Sequence, residues 1–282
     1  MTQNVGKSPA RNEQHGRWGC LQVLLIGIVL FVASTFVMFL TGNPNLFPTV
    51  ILIGNFLVPV VFVSFLYTNQ RLSSLTPETI ASSFCFGGIL GVLGASLLES
   101  VLIPIPSNPN QGLSLTSGLA VGLIEEGCKI AAVALLAQRM RHTAQIDGLL
   151  LGAAVGMGFA ALESTGYAFT AFLASHGHVG ASIAETVIRG LLAPFGHGVW
   201  TGILGAVLFR ASSQNHLRIT SPIVLLTYLF VSLLHGLWDG SPFAFYIIIP
   251  PGIHISLITL TLSVLGLLVL ALLYWGSRRQ PA

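Results

Sequence analysis

Glu125, Glu126 and Lys129 stand in the middle of an apolar run, LSLTSGLAVGLIEEGCKIAAVALLA. Lys129 is four residues from Glu125 and three from Glu126, so one ion pair on a helix face is easy and one carboxylate is left over. Adjacent helical residues point about 100° apart, which lets Glu125 and Glu126 do different work. Further along, Glu163 is the acid well inside GMGFAALESTGY, and Asp147 opens that run, where a helix N-terminus favours an acid and a capping role is expected. The next run, SIAETVIRGLLAPFGHGVWTGILGAVLF, carries His197 one turn after Pro194, which removes a helical hydrogen bond and is expected to kink the chain. In it Glu185 and Arg189 are four apart and are expected to pair, the alternative being that Arg189 contacts substrate or a site carboxylate. His235 and Asp239 in LLHGLWDG are also four apart, a spacing used for metal ligands and for His–carboxylate pairs. Buried acids and imidazoles in this number suit proton transfer, water activation or metal ligation.

Those runs are long because the chain is built for lipid. Of 282 residues, 53% are hydrophobic and only 7% charged, with a net charge of +3. Soluble domains carry about 25% charged residues, so a water-exposed globular fold is excluded. The cations are scattered, which argues against a nucleic-acid partner. Eight segments have the length to cross a bilayer as helices: 18–40, 49–67, 81–103, 113–137, 146–173, 182–209, 221–238 and 254–275. The first is longer than a signal-peptide core and reads as an anchor. Lys7, Arg11, Arg17, Arg71, Arg139, Arg141, Arg210, Arg218, Arg278 and Arg279 all fall on one side of that arrangement. The connections 41–48, 104–112, 174–181 and 239–253 hold no Lys or Arg. The positive-inside rule then places both termini in the cytoplasm. The expectation is an all-α, polytopic transmembrane helix bundle in the cell membrane. It has a disordered tail at 1–17, one helical domain at 18–276 with its functional core at 113–239, and a second short tail at 277–282.

A charge at the centre of a membrane helix costs roughly 2.5–3.5 kcal/mol, so the ionisable groups must be paired or turned inward. At about 1.5 Å per residue, Glu125 and His197 fall near mid-bilayer, Glu163 and His235 in the outer half, and Asp239 near the outer surface. One wet pocket reachable from outside would hold them all. Glu99, near the outer end of the third span, is the sole acid in the other spans. Small residues recur every four positions, as in Gly148-Gly152-Gly156 and Gly198-Gly202-Ala206, and predict close helix packing. Cys20, Cys85 and Cys128 form no close pair and support neither a disulfide nor a CxxC site. A thiol such as Cys128 in apolar surroundings is usually inert.

LIEEGCK, DGLLLGAAVGMGFAALESTGY, RGLLAPFGHGVWTGILG and LLHGLWD, in this order over 113–239, resemble the PrsW family of intramembrane proteases. The arrangement is also similar to CAAX prenyl proteases and bacteriocin-immunity-like membrane proteins. Those carry a Glu pair, Phe-xxx-His and His-xxx-Asn. Glu125-Glu126, Phe159-xxx-Glu163 and His235-xxx-Asp239 stand in those places, with Glu163 for a His and Asp239 for an Asn. The resemblance implies cleavage of a membrane-anchored partner near its extracytoplasmic face, anti-sigma factors being the family's best-known substrates. It implies Glu125 as the base, with Glu126 held by Lys129. His197 and His235 then serve as metal ligands or oxyanion stabilisers. Two chemistries stand side by side. In one, His197, His235 and a carboxylate from Glu163 or Asp239 bind Zn²⁺. In the other, Glu125 works with the imidazoles alone. A proton-coupled transporter and a non-catalytic immunity-type protein are the rival functions.

Overall fold

The computed structural model describes residues 13–69, 73–104, 113–138, 140, 144–213, 216–241, 246–249 and 253–277. Helices α1 (Glu13–Thr41) and α2 (Phe47–Thr68) come first. Next, α3 (Pro77–Ser82) runs through one π-helical turn, Ser83–Gly87, into α4 (Gly88–Leu102). Then follow α5 (Leu115–Ala137), α6 (Gln145–Ala174), α7 (Val179–Ala211) and α8 (Pro222–Gly240). Strands β1 (Tyr246–Ile249) and β2 (Ile253–Ser256) pair antiparallel, Ile247 opposite Ile255, before α9 (Leu257–Ser277). Among the described residues, seven helical stretches are long and apolar enough to cross a membrane, the α3–α4 stretch counting as one. At 23 residues, α5 has the length to cross beside them, and its mid-helix charges set it apart from the other seven. The fold is an all-α polytopic bundle, as composition predicts. The small hairpin is the departure: β1 lies in the expected connection 239–253, while β2 takes the first residues of the expected span 254–275, so the last helix starts at Leu257.

Burial separates the helices into a centre and a periphery. The apolar window of α6 is 94% buried and that of α7 76%, against 11% for α1 and 22% for α9. α6 and α7 therefore form the spine, and α1 and α9 offer most of their surface to lipid.

Glycine lets the spine close. A β-carbon on Gly148, Gly152 or Gly156 of α6 would run into the backbone oxygen of Gly205, Thr201 or His197 of α7. The same holds between α5 and α8, where Gly118 and Gly122 lie on Gly236, Gly240 and the Ser232 carbonyl. Backbone contact of this kind is the main source of helix affinity in lipid, where no hydrophobic drive exists between apolar faces. Gly152→Val is therefore expected to force α6 from α7 and deplete folded protein, an overpacking cost of at least about 1–3 kcal/mol. Gly180→Ala, with nothing within 4 Å, is the neutral control. Equal yields of monodisperse protein from both variants would contradict the close-packed spine.

Asp147 does not cap α6. Ala144 occupies the N-cap with no side-chain bond, and Asp147 sits three residues further in, 1% exposed. It accepts hydrogen bonds from Ser73 Oγ (2.7 Å), the Ser74 backbone N–H (3.0 Å) and Ser74 Oγ (2.6 Å). The acid thus ties the connection before α3 to the start of the central helix.

Candidate active site

Four consecutive helices, α5 to α8, each deliver a polar side chain to one buried cluster. From α5, the Lys129 ammonium donates to Glu125 Oε2 at 3.0 Å and Glu126 Oε1 at 2.8 Å. It also reaches across to His197 Nδ1 on α7 at 2.8 Å. The Phe159 ring of α6 covers the ammonium, 3.9 Å from its centroid. Glu126 is completely enclosed: Thr201 Oγ1 donates to its Oε2 at 3.2 Å, and His235 Nδ1 lies 3.0 Å from its Oε1. His235 Nε2 faces two further carboxylates, Asp239 Oδ2 at 3.2 Å and Glu125 Oε2 at 3.5 Å. His197 Nε2 is 3.2 Å from Glu163 Oε2, which also takes a 2.6 Å bond from Arg189 Nη2. The two imidazoles meet edge to face at 4.9 Å, and Trp200 packs 4.9 Å from the His235 ring.

Proton counting orders this cluster. An ammonium has only protons to offer, so His197 Nδ1 accepts from Lys129 and Nε2–H donates to Glu163. An ionised carboxylate only accepts, so His235 donates from Nδ1 to Glu126 and from Nε2 to Asp239, with Glu125 Oε2 3.5 Å from Nε2. The two rings converge on Glu125 Oε2, His197 through Nδ1 at 3.7 Å and His235 through Nε2 at 3.5 Å. Each is backed by a carboxylate on its other nitrogen. Ligand atoms of Glu125, His197 and His235 all lie within 4.8 Å of one another, and all three residues are buried. A carboxylate and two imidazoles, each ring oriented by a second carboxylate, are the donor set and second shell of a zinc-type centre, so these residues fit a divalent metal.

The cluster has a mouth. A cleft of about 470 Å³ between α4, α5 and α6 is lined by Glu125, Glu163, Phe159, Tyr167, Thr170 and Glu99, among others. Glu125 is both in its wall and within reach of the two imidazoles.

All six residues singled out for chemistry, Glu125, Glu126, Glu163, His197, His235 and Asp239, thus join one connected network. Arg189 differs from expectation: it pairs with Glu163 of α6 and stacks 3.8 Å above the Tyr167 ring, and no ion pair joins it to Glu185 among the described residues. Lys129 serves both Glu125 and Glu126, not one of them. Cys128 turns toward Gly94 of α4. His176, His178 and His216 form no part of the cluster, His142 lies outside the described residues, and the side chains of His15 and His254 are not described. Sequence reading passed over Thr201, Trp200 and Tyr167. Thr201 and Trp200 are four and three residues after His197, and Tyr167 is four after Glu163, so helical spacing from the named residues points to all three.

A polytopic helical membrane protein with an enclosed acid–imidazole centre, opening on a cleft between its helices, has the build of a membrane peptidase. Residues 76–273 match the model of the PrsW family intramembrane metalloprotease, well over half of the chain, and the chain belongs to that family. The match reaches beyond 113–239 to include α3, α4 and most of α9. Protease PrsW of Bacillus subtilis (strain 168) is 27% identical over 182 residues, 64% of this chain and 77% of that protein. No solved structure matches.

Proposed function

We propose that this protein hydrolyses a peptide bond of a membrane-anchored protein near its extracytoplasmic face, from a site whose chemistry converges on Glu125. The observation that carries the reading is the position of Glu125 between the cleft and two oriented imidazoles. Both termini lie in the cytoplasm by charge bias, which puts the Glu99 end of the cleft on the outer side. The substrate class is a single-span or anchored protein such as an anti-sigma factor, the class associated with the family.

Glu125, His197 and His235 would hold the metal, which when bound lowers the pKa of a water and polarises a carbonyl. Glu126 and Glu163 keep the two rings in the required tautomer. Of the carboxylates in the cluster, Glu126 is bound by Lys129 and Glu163 by Arg189, while Asp239 has only His235 as an ion-pair partner among the described residues. Its side chain is 24% exposed, the most open of the clustered acids. Asp239 therefore takes the proton of the attacking water and returns it to the leaving amine.

One observation favours a metal-free variant of the same reaction. Lys129 Nζ stands 3.0 Å from Glu125 Oε2 and 2.8 Å from His197 Nδ1, a resident cation between two of the three donors. In that variant Glu125 itself is the base. Co-expression with tagged single-span partners, followed by fragment detection, tests the peptidase reading. Metal analysis separates its two forms. About one equivalent of divalent ion is expected in protein washed without chelator, lost in His235→Ala. Cleavage at full rate by metal-free protein would reject the metal form.

A further inference from the structure

The cleft beside Glu125 contains a carboxylate that the proposed reaction does not use. Glu99 of α4 lines it, one helical turn before the helix ends at Leu102. Its Oε1 is enclosed and has no hydrogen-bond partner among the described residues. The two other acids of the lining each have a cation: Lys129 on Glu125 and Arg189 on Glu163. Among the described residues no Lys or Arg lines the cleft, whose remaining wall is largely apolar, with Val92, Ala95 and Leu162. An enclosed carboxylate oxygen without a donor is costly, and a charged donor satisfies it best. The occupant of the cleft is the available source of that donor.

We propose that Glu99 is a specificity-determining residue that accepts a charge-assisted hydrogen bond from a Lys or Arg side chain of the substrate, on the extracytoplasmic side of the bond to be cut. This rests on the peptidase reading and deepens it. Positive charge is scarce at the outer ends of membrane spans. A half-buried acid at this place therefore distinguishes a small set of partners from the bulk of membrane proteins. Specificity of this kind comes from a site group left unpaired when the wrong substrate enters.

The test uses the full chain in phosphatidylglycerol nanodiscs, which offer no amine headgroup as a competing cation. Single-span reporters carry Lys, Ala or Glu at successive positions near the outer membrane boundary. At one position Lys is expected to raise kcat/KM about tenfold to a hundredfold over Ala, mainly through KM. Glu99→Gln brings that ratio close to one, and Glu99→Lys turns the preference toward the Glu reporter. A Lys preference that survives Glu99→Gln overturns the assignment, as does a uniform loss on all reporters with the ratio unchanged. A second arm measures binding of fluorescent reporters to the Glu125→Gln protein, with and without Glu99→Gln. If wild type cuts no reporter, the peptidase reading falls. The Lys-over-Ala ratio in binding then still decides the role of Glu99: lost on substitution, it supports the role, and retained or absent, it rejects it. Repeating the binding in phosphatidylethanolamine discs separates a lipid amine from a peptide cation, because a headgroup ligand would compete with the Lys reporter. Such competition together with no peptide preference would overturn the proposal in favour of a lipid ligand.

Discussion

Glu125→Gln is expected to reduce cleavage at least about a thousandfold while leaving a folded, monodisperse protein. The imidazoles, the Lys129 ammonium and the cleft all meet at that side chain. Its Oε2 is within 3.7 Å of one nitrogen of each imidazole and 3.0 Å from the Lys129 ammonium, and the residue walls the cleft. Gln preserves shape and can still accept from Lys129, so packing is retained while the charge and the proton-accepting or ligating oxygen are lost. In the metal form the ion content falls with activity. In the metal-free form activity falls alone. Measuring both on one preparation distinguishes the two, and a Glu125→Gln protein that cuts at the wild-type rate would remove this residue from the mechanism under either.

The second large effect concerns stability. Lys129→Met is expected to cost about 3–5 kcal/mol, enough to lose most folded protein from the membrane. Lys129 is fully buried, and among the described residues it is the only Lys or Arg whose charge is placed on Glu125 and Glu126. Met matches the stem but strands two carboxylates in a low-dielectric interior, together with an imidazole nitrogen that has lost its donor. Breaking one side of a buried ion network costs far more than replacing the whole of it. The double variant Glu126→Gln, Lys129→Met is therefore expected to recover part of the loss. Thermal unfolding in detergent reads both. An unchanged midpoint for Lys129→Met would show that the carboxylates are satisfied without it.

Much of this was written in local spacing. The apolar runs foretold the helices within a few residues, because the length needed to cross hydrocarbon leaves little freedom. Lys129 with Glu125 and Glu126, and His235 with Asp239, were visible as helix neighbours three or four apart. Arg189 shows where local reasoning ends. It has an acid four residues away on its own helix, Glu185, yet it binds Glu163 at 2.6 Å. The choice depends on how far α7 is slid along α6, and that register is set where Gly148, Gly152 and Gly156 meet α7 backbone. Asp147 is a similar case: its position in the first turn of α6 suggested a cap, while its partners, Ser73 and Ser74, lie more than seventy residues earlier. The lining of the cleft by Glu99 is likewise a product of packing between three helices, with no periodic signature of its own.

The order in which the charged partners appear along the chain bears on how such a protein is made. Lys129 finds Glu125 and Glu126 on its own helix, and Arg189 finds Glu163 on the helix just before. Each cation leaving the ribosome therefore has its counter-charge already synthesised. α5 enters lipid with an internal salt bridge, and α6 with α7 enter as a hairpin whose ionic contact bridges the two limbs. Only His235 and Asp239, on α8, must wait for this assembly before they have anything to join. Membrane integration and completion of the reactive centre are thereby separated in time, and a nascent chain stalled before α8 would be inserted but inert.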